Sequence, residues 1–263
     1  MRLAPPLGEY PVVELRRYVL HDCVRERFAT YFESLFPEAF QALGALVFGL
    51  FFERNDPSRF TFLRAFPDMD TRLAVCTAMY DGPLWREHRD TMNAMIVDYT
   101  DVLLLKPVSP GRGLLLLPAV DVVEEAGGAR GVFVAQVFPA EAGRAADLAD
   151  RAEQAFAGYR AAGAREAGVL VTLDVPNNFP RHPIREDGHY LVWLGLVEND
   201  AALAPLRAAA EHALPALAST GLLRGAPELI VMDPARRSRL RWLDEWSPAA
   251  AALSPPRAAA ARP

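Results

Sequence analysis

One βαββαβ pattern is written twice in this chain. Strands are predicted to begin near residues 12, 45, 60 and 100, and again near 131, 168, 189 and 228, each at a β-branched or aromatic apolar run. Amphipathic stretches with helical spacing fill the first and third gap of each set. A repeat of roughly a hundred residues constrains the architecture before any single motif does. A lone βαββαβ sheet covers one face with its helices and leaves the other bare. VVELRRYVL (12–20) and YLVWLGLV (190–197) carry apolar residues at both parities, so both faces of these strands are expected to be buried. Packing the bare face of copy one against that of copy two satisfies this within one chain. The expected fold class is therefore α+β: two tandem ferredoxin-like (βαββαβ) domains, residues 1–108 and 131–246, forming a fused α/β barrel inside one polypeptide.

Local signals agree with that plan. Asp22 is positioned to cap the first helix, whose Phe28, Phe32 and Leu35 recur at helical spacing. Pro67-Asp68 ends a strand and caps the second helix, and Pro83 sits where a helix needs no N–H. Residues 109–130, with four glycines and two prolines, read as a linker, and 247–263 as a disordered Ala/Pro tail.

Composition narrows the class of function. With 263 residues the chain is long enough for two small domains, and 51% hydrophobic content supports packed cores. A net charge of −5 argues against a nucleic-acid partner, because phosphate recognition needs a basic surface. Cys23 and Cys76 form no CxxC and no disulfide framework, which favours reduced thiols in a cytoplasm. The N-terminal MRLAPPLGEYPVVEL lacks the basic and apolar regions of a signal peptide. The longest apolar run, ALGALVFGLFF (42–52), is too short to span a bilayer. No membrane association is expected.

Four stretches carry a family resemblance: VELRRYVL (13–20), FTFLRAFPDMDTR (60–72), YDGPLWREHRDTMNAMIVDYTDVLLLKP (80–107) and PNNFPRHPIREDG (176–188). With the closing MDPARRSRLR (232–241), they resemble the NIPSNAP family over about nine-tenths of the chain. The resemblance implies a dimeric α/β-barrel fold and no agreed catalytic residues. The wider superfamily includes cofactor-free monooxygenases, cyclases, isomerases, haem proteins and stress proteins, an analogy at fold level only.

Candidate site residues come from polar groups in apolar surroundings. Glu14, Arg16 and Tyr18 share one face of the first strand by its period of two, and Arg64 lies amid apolar FTFLRAF on the strand expected beside it. A Glu14–Arg16–Arg64 cluster would leave surplus positive charge for a carboxylate or enolate; the alternative is an ion network that fixes barrel register. Matching the copies places Val134, Gln136 and Phe138 opposite Glu14, Arg16 and Tyr18, and Gly195 opposite Arg64, so only copy one is polar here. His88 shares a helix face with Leu84 and Met92 and is expected to point inward, either as acid–base or as a core histidine bonded to a carbonyl or Asp98. Trp85 and Asn93 lie on the same helix. The long connection VPNNFPRHPIREDG (175–188) offers Asn177, Asn178, Arg181 and His182 around Phe179, as a lid or as a loop wrapped over the other copy. RRSRLRW (236–242) either binds an anion or docks back on the barrel. No HExxH, P-loop, GxGxxG or GxSxG motif occurs, so no metal and no cofactor is expected.

These readings point to a cofactor-independent enzyme of secondary metabolism, catalysing proton transfer, cyclisation, isomerisation or oxygenation on a small hydrophobic metabolite. His88, Arg16 and Arg64 would be catalytic, and the other named residues would bind substrate. The alternative is a non-catalytic ligand-binding or interaction protein. Haem with His88 as axial ligand is a third possibility, and self-association is expected.

Overall fold

The computed structural model describes residues 10–244. The elements run β1 (Val12–Leu20), α1 (Arg25–Leu43), β2 (Leu46–Glu53), β3 (Arg59–Phe66), α2 (Met69–Tyr80), α3 (Pro83–Asn93) and β4 (Ile96–Pro107). They continue as β5 (Val132–Ala140), α4 (Ala145–Ala161), β6 (Arg165–Thr172), β7 (His189–Val197), α5 (Asp200–Ala218) and β8 (Glu228–Pro234). All eight strands close into one barrel in the order β1-β3-β2-β8-β5-β7-β6-β4. Each half contributes four adjacent strands in the same relative order. The halves meet where β2 pairs with β8 and β4 with β6.

Strand parity divides the side chains between two layers. Val13 and Leu15 point into the barrel, where Phe51 of one half stacks on Phe133 of the other with centroids 4.2 Å apart. Val12, Tyr18 and Leu20 point outward, under α1, α2 and α3. A third apolar layer, around Phe156 and Trp193, lies under α4 and α5. The barrel interior is thus packed core.

One end of the barrel is stoppered by two segments. Leu114 and Leu117 of the linker join Leu240 and Trp242 in the central core. Leu240 N donates to Phe48 O at 3.1 Å and Trp242 N to Arg130 O at 2.7 Å. Within RRSRLRW, Arg239 Nε donates to Leu117 O at 2.9 Å and Arg241 Nε to Glu125 at 2.7 Å. This segment docks back on the barrel. At the opposite end Arg17, also inward-facing, binds Glu53 through two bonds of 2.7 and 2.8 Å and reaches Asp101 and Glu228.

Helix boundaries follow their local chemistry, with two differences from expectation. Asp68 caps α2, its Oδ1 accepting from Thr71 N at 2.6 Å, and Pro83 occupies the first turn of α3. Asp22 does not cap α1: Val24 is the N-cap, with no side-chain cap bond. Cys23 intervenes with φ of 63°, so Asp22 sits in a turn short of the helix. β4 begins at Ile96 rather than near 100, because IVDYTD pairs with β1 through irregular register before its apolar run begins. Gly44, at φ 102°, closes α1 in the left-handed conformation that glycine adopts without strain. The 247–263 stretch lies outside the described residues.

Candidate functional site

Period-two geometry places Glu14 and Arg16 on the helix-facing side of β1, and antiparallel pairing sets Glu14 directly beside Arg64 of β3. All three side chains are wholly buried, as is Arg72 of α2. Glu14 Oε2 accepts from Arg16 Nη1 at 3.1 Å and from Arg64 Nε, while Oε1 accepts from Arg72 Nε at 2.7 Å. Three guanidiniums therefore share one carboxylate, and the cluster carries surplus positive charge. Burial alone would raise the Glu14 pKa, but Arg64, Arg16 and Arg72 outweigh it and hold the carboxyl well below its ordinary range. Arg64 also packs over the Phe40 and Phe66 rings and donates to the Tyr80 hydroxyl at 3.0 Å. Arg72 Nη2 is buried and has no hydrogen-bond partner among the described residues.

The connection between β6 and β7 belongs to the second half and yet rests on the first. Phe179 is buried in the first half's outer layer. Arg185 N donates to Val102 O at 2.8 Å, tying the segment to β4. His182 stacks on Tyr80, centroids 4.0 Å apart at 29°, and its Nδ1 lies 3.2 Å from Arg16 Nη2. A guanidinium can only donate, so Nδ1 accepts and the ring proton sits on Nε2. Burial, then the Arg16 and Arg64 charges, pull the imidazole pKa down to about 2. His182 is therefore a neutral imidazole whose free N–H is polarised by a cationic cluster.

That ring forms part of the wall of a pocket of about 310 Å³ between the first half's sheet and α1 and α3. Aromatic rings dominate the wall: Phe28, Phe32, Phe36, Phe40, Phe62, Trp85 and the tyrosines at 18, 80 and 99. Asn93, Arg181 and His182 add polar groups. The Tyr18 hydroxyl accepts from Arg16 Nε at 3.4 Å. Arg181 lies at the exposed rim, paired with Asp81 at 2.9 Å and above the Phe179 ring. The cavity is mainly apolar, with a few convergent polar groups, as small-molecule sites commonly are.

Of the residues singled out in the sequence, Glu14, Arg16, Arg64, Tyr18, Asn177, Asn178, Phe179, Arg181 and His182 come together around the cluster and pocket. Trp85 and Asn93 line the pocket from α3. His88 does not join them. Half-buried, its Nδ1 lies 2.7 Å from the Tyr31 hydroxyl of α1, and it is absent from the pocket wall. Its inward helix face meets α1 rather than the sheet. Arg72, Tyr80 and Tyr99 were not anticipated. Arg72 had a legible signal, since it shares the inward face of α2 with Val75, Cys76 and Met79.

The equivalent positions of the second half, among the described residues, carry no such charged cluster. Gln136, at the position equivalent to Arg16, accepts from the Tyr159 hydroxyl at 2.6 Å. Gly195, equivalent to Arg64, lies under the Trp193 ring, and a Cβ there would fall 2.2 Å from Trp193 Cη2. Indole fills the volume that the cluster and pocket occupy in the first half. Among the described residues, no group of three or more His, Cys, Asp or Glu is arranged to hold a metal ion.

No family model matches the chain, and no curated protein matches it. Solved structures do. An anthrone oxidase-like protein is 12% identical over 91% of this chain and 97% of its own, with a TM-score of 0.58. A provisionally named monooxygenase from Fusobacterium nucleatum is 7% identical over 89% of this chain and 96% of its own, TM-score 0.55. Another from Lactobacillus acidophilus is 12% identical over 86% and 94%, TM-score 0.52. A NIPSNAP-like domain protein from Burkholderia xenovorans is 22% identical but covers only 36% of this chain, TM-score 0.33, a likeness too partial to carry a family assignment. With its eight-stranded closed sheet and outer helices, the chain has the α+β fold of the dimeric α/β-barrel proteins.

Proposed function

We propose that the first half's pocket binds a small, flat, hydrophobic metabolite with an enolisable carbonyl or acidic hydroxyl. On this reading the protein is a cofactor-independent enzyme of the proton-transfer, cyclisation, isomerisation or oxygenation type. One observation carries the proposal: His182 lines an aromatic pocket and is backed through Nδ1 by Arg16 and its surplus-charge cluster, which leaves Nε2–H as the ring's donor. An oxygen that becomes negative as the substrate's proton passes to solvent water would accept this N–H. Arg16 and Arg64 would stabilise the charge from behind, without touching the ligand. A preorganised donor of this kind typically contributes a rate factor of about 10²–10³. His88 takes no part, because it lies off the pocket wall.

The experiment is a titration of bound 1-naphthol. The pocket should lower its hydroxyl pKa by about two units, matching the energy of one such donor, and His182→Phe should abolish the shift while His88→Gln leaves it. An unshifted pKa in the native protein would leave no basis for oxyanion stabilisation. One contact favours a non-catalytic binding role instead: Arg16 occupies His182 Nδ1, so the ring offers a donor and no free base. Tight binding with an unshifted probe would select that reading.

On the same footing we assign the chain to the NIPSNAP-like proteins, supported by the sequence stretches that resemble that family. We divide it into tandem ferredoxin-like domains at 1–108 and 131–246, joined by 109–130; the repeated strand order supports the division. A role in secondary metabolism and self-association remain proposals. So does a cytoplasmic location, supported by two unpaired cysteines. No helix among the described residues is long and apolar enough to cross a membrane.

A further inference from the structure

We propose that Arg72 is the positioning residue that seats His182, so that a helix of the first half grips a loop of the second and thereby completes the pocket. The inference rests on the site described under Proposed function. Arg72 does not line the pocket. Its Nε is fixed on Glu14 Oε1 at 2.7 Å, which orients the guanidinium plane. Its Nη1 then donates to two consecutive side-chain amides, Asn178 Oδ1 at 2.6 Å and Asn177 Oδ1 at 3.1 Å.

Each amide passes the constraint on. Asn177 Nδ2 donates to the His182 carbonyl at 2.9 Å, and its Oδ1 also accepts Phe179 N–H at 3.1 Å. Asn178 Nδ2 donates to Met69 O in the first turn of α2 at 2.6 Å, so the loop is pinned to both ends of the Arg72 turn. Phe179 and His182 then stack on Tyr80 from the same helix. One cation thus links the carboxylate at the centre of the cluster to the backbone that carries the ring.

Both bonds of Nη1 go to the loop, so the buried cation ties the segment to α2. A lysine cannot replace this geometry. It supplies a single ammonium where Nε and Nη1 act in different directions from a rigid plane.

The test reads His182 itself. Ring proton resonances of the five histidines are followed by NMR against pH in the native protein, Arg72→Lys and Asn177→Ala, with His182→Gln providing the assignment. The charged and titratable groups around His182 are Glu14 and Arg16 on β1, Arg64 on β3, Arg72 and Tyr80 on α2, and Tyr99 on β4. Arg72→Lys keeps their charge count, so a change reports placement. In the native protein the His182 resonance should stay flat down to about pH 4; in both variants it should titrate in the ordinary imidazole range. A purely structural role would lower the melting temperature and leave the resonance flat in the folded protein. Should Arg72→Lys not fold, Asn177→Ala carries the test from a partly exposed loop position. A flat His182 resonance in either variant, once folded, overturns the proposal. Because no ligand is present, an unshifted naphthol would refute the proposed function and leave this result standing.

Discussion

Replacing His182 by Gln should flatten the acid-side loss of folding stability by an amount set by the ring's surroundings. Gln supplies an oxygen to accept from Arg16 Nη2, so the hydrogen bond survives while the titration does not. In the folded protein, burial and the Arg16 and Arg64 charges hold the imidazole at about 2, against 6.5 for an ordinary histidine. The unfolded chain therefore takes up a proton that the native protein refuses. The contribution is complete above about pH 6.5 and is lost as pH falls toward the folded value, at about 1.4 kcal/mol per pH unit. Between pH 8 and pH 5 the His182 share is about 2 kcal/mol. Urea unfolding followed by tryptophan fluorescence at both pH values measures it, and the other titrating groups cancel between the two proteins. Whatever His182→Gln costs at pH 8, it should cost about 2 kcal/mol less at pH 5. A difference below about 0.5 kcal/mol, near the extrapolation error, would mean that the ring is not held neutral by the cluster.

Glu14→Gln should destabilise the protein by about 3–5 kcal/mol, because it leaves three buried guanidiniums without their counter-ion, and adding Arg64→Met should recover part of that loss. Thermal melting of the single and double variants checks this; a loss below about 1 kcal/mol for Glu14→Gln would place the charges in water rather than in the core. Residues 1–108 expressed alone should aggregate or form a homodimer, since Val13, Leu15 and Leu63 would lose the second half that covers them. A well-behaved folded monomer in ultracentrifugation would contradict the shared core.

The one-sidedness of the charged cluster and its aromatic pocket follows from loop length. In the first half, β2 and β3 are joined by five residues, 54–58, too few to reach across the barrel. The equivalent connection in the second half runs from 173 to 188 and lies over the first half. The first half thus has buried charge and a strap to complete it, whereas the second is filled by Trp193 and Tyr159.

What could be read in the chain alone was whatever repeats locally. Two copies with apolar residues at both strand parities require a closed barrel, and eight strands close one. Period two and strand adjacency brought Glu14, Arg16 and Arg64 together, since neighbouring strands convert residue parity directly into contact. The same local rules misplaced Asp22, where a left-handed Cys23 shifted the helix start, and gave His88 an inward face without showing that α1 lies there. The contact between His182 and Arg16 spans 166 positions of sequence. No periodicity encodes it: it depends on the path of an irregular loop over a neighbouring sheet, and on a guanidinium from a third element holding that loop in place. Parity and spacing determined the barrel and its buried charge, whereas only tertiary packing decided that the pocket lies outside the barrel and that the second half supplies its histidine.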